Sequence, residues 1–175
     1  MVLKPQDVAV VLQLCRHAPP RPPYSQIAIE LSMSPSEVHA AVKRAQASGL
    51  LHGSEMGERP NRGAIKEFLI HGLKYAFPAE RGAPTRGIPT SYAAEPLRKE
   101  IALGDEPPPV WPYATGSHRG VSFEPLYRQA PKAALRDAGL YELLALVDAL
   151  RGGRARERKL AEKMIVSRLR PAVHA

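Results

Sequence analysis

Apolar residues recur at helical spacing along the first half of the chain and are interrupted at defined points. Val8, Val11, Leu12 and Cys15 form one stripe behind Lys4-Pro5-Gln6-Asp7, which predicts a first helix ending at about His17. Ile27, Ala28 and Leu31 share one face of a second, two-turn helix, with Ser25 as its expected N-cap. Ser32, Met33 and Ser34 interrupt that pattern. Ser34-Pro35-Ser36-Glu37 then restarts a helix with a capping hydroxyl, proline at the first helical position and Glu three residues after the cap. Val38, Ala41, Val42 and Ala45 make the inner stripe of this third helix, and Gly49 supplies its stop.

Two short helices around a tight turn, the second with an uncommitted outer face, read as a helix-turn-helix. The arrangement ends in Gly49-Leu50-Leu51 and covers roughly residues 4 to 76. It resembles the N-terminal winged-helix domains of bacterial transcription regulators such as the MarR, IclR and Lrp groups. The resemblance implies that the helix from Pro35 to Ser48 enters the major groove of DNA, with its first two turns nearest the base edges. The family places a two-stranded wing next. Here Leu50 to Ser54 suits a first strand, but Glu55 to Gly63 is turn-rich and offers no clear return strand, so the wing is expected to be short or missing. Asn61 reads as the cap of a fourth helix carrying Ala64, Ile65, Phe68, Leu69 and Leu73 on its apolar side.

Beyond residue 76 the pattern changes. Prolines from Pro78 to Pro131 divide the chain into pieces too short for helices, apart from one expected near Ala94 to Leu103. The same stretch holds Trp111, Tyr92, Tyr113, Phe123 and Tyr127, more aromatic than disordered segments usually are. It reads as an irregular, extended arm packing on the helices, with short β pieces at Pro109 to Tyr113 and Gly120 to Phe123. Helical periodicity returns with Leu140, Leu143, Leu144, Val147 and Leu150. Gly152-Gly153 breaks it, and a basic helix runs from Arg154 to Leu169. These two helices either make a homodimer or pack on their own domain. The expected organisation is mainly α: a winged helix-turn-helix domain (1–76), a Pro-rich arm (77–131) and a helical, basic C-terminal segment (132–175).

The formal charge of +8 points to an anionic partner, but its distribution qualifies that inference. Residues 1–60 carry six basic against five acidic side chains, whereas residues 151–175 carry eight against two. The helix-turn-helix is therefore nearly neutral. The basic tail is placed either for DNA phosphates or for an acidic partner protein. Cys15 is the single cysteine, which fits a reducing cytoplasm, and no apolar run reaches the length of a membrane span. A cytoplasmic protein with no membrane partner is expected.

Candidate DNA-binding residues are Ser34, Ser36, His39, Lys43 and Arg44 on or beside the third helix, with Arg59 and Arg62 in the turn-rich segment after it. A solvated helix face is the alternative for the first group, and ordinary exposed loop arginines for the second. Arg16, Arg21, Arg81 and Arg86 are weaker candidates for phosphate contact. The six histidines include no i, i+4 pair, and one cysteine cannot form a Cys-x-x-Cys site, so neither a metal nor a cofactor is expected. Gly116-Ser117-His118-Arg119-Gly120 contains a Ser-His pair, but neighbours in sequence rarely face one another and no orienting carboxylate stands at a defined spacing. Enzymatic activity is not expected. The sequence thus points to a transcriptional regulator, in particular a repressor, acting as a homodimer on double-stranded DNA. The alternative is an antitoxin-like interaction module that wraps an acidic partner protein with its arm and tail.

Overall fold

A computed structural model describes residues 1–55 and 57–171. The end of the basic tail, 172–175, lies outside the described residues. The fold is predominantly helical with two small sheets.

Three helices open the chain: α1 (Pro5–Arg16), α2 (Tyr24–Leu31) and α3 (Pro35–Ala47). Their apolar stripes meet as the spacing requires, with Leu12, Ile27, Leu31, Val38 and Ala41 all buried. The start of α2 differs from expectation. Its N-cap position is Pro23, without a side-chain cap, and Ser25 lies inside the first turn. The turn that follows closes on Ser32 in the left-handed region (φ +54°), with the Met33 N–H donating to the Ala28 carbonyl at 2.9 Å. Gly49 (φ +78°) ends α3 in the same backbone region, which glycine enters without a Cβ penalty.

A return strand is present after all. β1 (Leu51–His52) pairs antiparallel with β2 (Arg59–Pro60), in the register Leu51 to Pro60 and His52 to Arg59. Two residues per strand are too few to show an alternating pattern in sequence, which is why the turn-rich composition concealed the second. Asn61 then caps α4 (Arg62–Glu67) through its side-chain oxygen, and the helix continues through a π-helical stretch, Phe68–Gly72, into α5 (Leu73–Ala76).

The Pro-rich segment is not an extended arm. It folds into a closed three-stranded barrel of β3 (Arg81–Pro89), β4 (Pro109–Pro112) and β5 (His118–Phe123), with β3 antiparallel to both partners and β4 parallel to β5. The expected piece at Gly120 to Phe123 falls within β5, and the one at Pro109 to Tyr113 matches β4 except for Tyr113, which lies beyond the strand. Prolines survive because they sit where no ladder N–H is needed: at strand ends (Pro89, Pro109, Pro112) or beside the register shift between Arg81 and Pro84. The chain approaches itself so closely that a Cβ on Gly87 would collide with the Trp111 carbonyl, and one on Gly120 with the Pro108 carbonyl. The helix expected near Ala94 to Leu103 is replaced by two 3-10 turns, Ser91–Ala93 and Leu97–Lys99, since Pro96 between them has no N–H to continue a helix.

Three C-terminal helices complete the fold: α6 (Ala130–Arg136), α7 (Ala138–Gly152) and α8 (Ala155–Arg168). Every residue of α7 from Leu143 to Arg151 is buried, as a helix apolar on all sides requires. Two charges are buried with it. The Asp148 carboxylate accepts from Thr90 Oγ1 (2.7 Å), Trp111 Nε1 (2.7 Å) and Arg151 Nη1 (2.8 Å). Arg151 also donates to the carbonyls of Phe77 and Glu124. Burial pushes the Asp148 carboxyl up, and Arg151, Thr90 and Trp111 pull against it. The network fastens barrel, α5 end and α7 together. Ala161, Ile165 and Leu169 of the α8 segment are buried within the chain, and Leu160 and Met164 pack against the same core, so the apolar faces that suggested dimerisation are used internally.

One hydrophobic core runs through all three sequence segments, from Val8 and Leu12 through Trp111 and Phe123 to Leu146 and Ile165. Cys15 belongs to it, and burial pushes its thiol up to about 11 despite Arg62 and Arg21 nearby. Among the described residues no helix is long and apolar enough to cross a membrane.

Candidate nucleic-acid interface

The reciprocal cap at the start of α3 fixes the position of its outer face. The Glu37 N–H donates to Ser34 Oγ at 3.2 Å, while the Glu37 carboxylate accepts from the Ser34 N–H (2.7 Å) and Ser34 Oγ (2.8 Å). These bonds, the backbone one first, hold the Glu37 carboxyl below its ordinary range. With Val38, Ala41, Val42 and Ala45 turned inward, Ser34, Ser36, His39 and Lys43 are all exposed. The structure therefore brings three of the seven sequence candidates, Ser36, His39 and Lys43, to one helix face, with Ser34 at the cap that precedes it.

Two residues absent from the sequence reading join that face to the β1–β2 hairpin. The His39 ring lies 5.8 Å from the Tyr24 ring, tilted by 57°, and the Tyr24 hydroxyl donates to the Glu58 carboxylate. Burial and the Glu58 contact push the Tyr24 hydroxyl up. Glu58 is followed directly by Arg59, which is exposed on β2. An aromatic at the first turn of α2, just after Pro22-Pro23, was the available signal for Tyr24; nothing in the sequence distinguishes Glu58.

Arg44 and Arg62 are engaged within the chain and are not on that face. Arg44 grips Asp7 of α1 with both arms, Nε to Oδ2 at 2.8 Å and Nη2 to Oδ1 at 2.7 Å, and its side chain is 12% exposed against a fully buried partner. Helical geometry explains the misplacement. At roughly 100° per residue Arg44 lies only about 60° from Ala41, on the flank of the buried stripe rather than opposite it. Arg62 donates to the carbonyls of Leu169 (2.5 Å) and Cys15 (3.2 Å), which ties the end of α8 to the end of α1. Arg16 and Arg21 are likewise engaged internally, by Asp137 and by the Leu14 carbonyl. Arg81 donates to the Gly152 carbonyl, whereas Arg86 is exposed on β3 without a side-chain partner among the described residues.

The face remains short of positive charge, with Lys43 and Arg59 as its cations and Glu37 and Glu58 close by. A second set stands on α8. Arg156, Lys159 and Lys163 are exposed, at i, i+3 and i+7, and belong to no ion pair among the described residues; Arg154 and Arg168 are occupied by Glu106 and Glu142.

Among the described residues no three His, Cys, Asp or Glu side chains are grouped to hold a metal ion. Ser117 and His118 do face one another, contrary to expectation, with Oγ and Nδ1 2.7 Å apart. Both are exposed, and no carboxylate bonds the other ring nitrogen among the described residues. No protein-family model matches the chain, and neither a curated protein nor a solved structure does.

Proposed function

We propose that the protein is a DNA-binding transcriptional regulator, in particular a repressor, of the winged helix-turn-helix kind. The observation that carries this reading is the outer face of α3, next to a hairpin bearing Arg59. A start sharply fixed by the Ser34 cap leaves Ser36 and Lys43 without side-chain partners among the described residues and His39 exposed beside Tyr24. The element order α1, α2, α3, β1, β2 supports it, with β1–β2 as a very short wing. In this reading the first turns of α3 meet base edges in the major groove, and Lys43 and Arg59 contact phosphate. Two cations give weak binding alone, so Arg156, Lys159 and Lys163 on α8 are assigned a share of the backbone contacts.

A homodimer on a two-fold operator would need a surface other than the buried faces of α7 and α8. An antitoxin-like role retains only the basic tail as its motive, since Trp111, Phe123 and Tyr127 are buried within the chain.

The test is a gel shift with DNA from upstream of the protein's own gene, comparing wild type with Lys43→Glu and Arg59→Glu. Both residues are exposed, so neither change disturbs the core. Binding is expected to weaken about tenfold or more for each, with a shallower salt dependence. Wild-type affinity in the double variant, or no specific shift from the wild type, overturns the reading. Arg44 is unsuitable for this test, because removing it strands the Asp7 carboxylate in the core.

A further inference from the structure

A cleft of about 530 Å³ opens where the barrel meets the corner between α6 and α7. Its walls are mostly apolar: Ile88, Ala94, Tyr113, Leu135 and Tyr141. Leu135 is 55% exposed at its edge, an uncovered apolar side chain that a bound molecule would cover. A volume in this range, apolar walls and a few convergent polar groups are what small-molecule sites share.

The polar groups select the charge of the occupant. Both carboxylates lining the cleft stand beside a cation, Glu142 hydrogen-bonded to Arg168 at 2.7 Å and Glu95 3.3 Å from the exposed Lys99, although the buried Glu95 Oε2 has no hydrogen-bond partner among the described residues. Arg98, also lining it, is exposed and has no side-chain partner among the described residues. The Ser117–His118 pair adds a hydrogen-bond donor whichever group holds the shared proton. If Ser117 donates to Nδ1, the ring carries its hydrogen on Nε2; if Nδ1 donates to Ser117, the hydroxyl hydrogen is free. An uncompensated guanidinium and a spare donor beside an apolar wall suit a molecule with an apolar body and an anionic end.

We propose that this cleft binds a small apolar organic acid, with Arg98 holding the acid group and Leu135 and Tyr141 covering the hydrophobic body. Binding here does not depend on DNA binding.

The fold contains its own reporter, since Trp111, the only tryptophan, has its ring 5.5 Å from that of Tyr141. Full-length protein is titrated with phenylbutyrate, phenylbutanol and phenylbutylamine while Trp111 emission is read, with melting temperature as a second measure. Phenylbutyrate is expected to give a saturable change and to bind about tenfold tighter than the alcohol, the scale of one charge-assisted hydrogen bond. R98Q is expected to bring the acid down to the alcohol's affinity and leave the alcohol unchanged. L135E is expected to weaken both. Arg98 is exposed, and the melting temperature of unliganded R98Q verifies that its fold is intact. The alcohol or the amine binding as tightly as the acid, indifference of the acid to R98Q, or no saturable response to any of the three overturns the assignment. Because the titration contains no DNA, its failure leaves the gel-shift reading standing, and the converse holds.

Discussion

Asp137 does two jobs that separate with pH. Its carboxylate takes both arms of Arg16, at 2.6 and 2.9 Å, and also accepts from the Leu140 N–H at the start of α7. The Arg16 bonds first, and the backbone bonds after them, hold the carboxyl below its ordinary value of 3.8. A group depressed in the folded state contributes its stability in full above the unfolded value and loses it as pH falls through the folded one. Asp137→Asn keeps a capping side chain but removes the charge. It is expected to cost about 1 kcal/mol at pH 7, a modest figure because both partners are about 30% exposed. The gap to wild type in urea unfolding is expected to narrow toward pH 3; a gap constant between pH 7 and 3 would refute the ion-pair origin. Residues of this kind were not legible in sequence. Periodicity tells which side of a helix a residue occupies, but not that Asp137 stands across from Arg16, or that Arg44 bends from the flank of α3 to Asp7, because those meetings are set by tertiary packing.

Elements were legible in proportion to their local signals. The limits of α3 follow from Ser34, Pro35, Glu37 and Gly49, four residues whose preferences act within a turn of the backbone, and the structure has them in those roles. The short helix α6 carried a weaker start signal: Pro131 stands in its first turn, but its N-cap position is Gln129, without a side-chain cap. The barrel was concealed because its determinants are non-local. Its strands are short and interrupted by prolines, and what permits closure is the absence of a side chain at Gly87 and Gly120. Gly120→Ala is therefore expected to break the β3–β4–β5 closure, since the obstacle is the Pro108 backbone rather than a side chain that can swing away. The expected readout is loss of the near-ultraviolet circular dichroism of Trp111 and a destabilisation of about 3 kcal/mol or more, in the range of severe overpacking. A native-like near-ultraviolet spectrum in the variant would show that the strands can separate without cost. The candidate site followed the same division. The free face of α3 was readable from its cap and stripe, whereas the Tyr24–Glu58 link to the hairpin was not, being a contact between segments 34 residues apart.

At the scale of the molecule, the α1–α3 segment is not self-sufficient. The Tyr127 hydroxyl donates to the Leu31 carbonyl at the end of α2, Arg136 reaches Ile29 and Ser32 in the turn, and Arg62 reaches Leu169. The full chain is expected to unfold in one transition, with Trp111 emission and far-ultraviolet ellipticity coinciding. A fragment of residues 1–76 is expected to lose cooperative unfolding, since it exposes core positions such as Leu14 and Leu73. A sharp, independent melt of that fragment would show two separable units instead. The same enclosure has a practical side for the lone thiol. At a value of about 11, Cys15 is thiolate to the extent of roughly one part in ten thousand at neutral pH, and it is shielded by its neighbours as well. The native chain is thus chemically quiet toward maleimides, and a cysteine introduced at exposed Ser36 would be the one position to accept a dye, without any prior removal of the natural one.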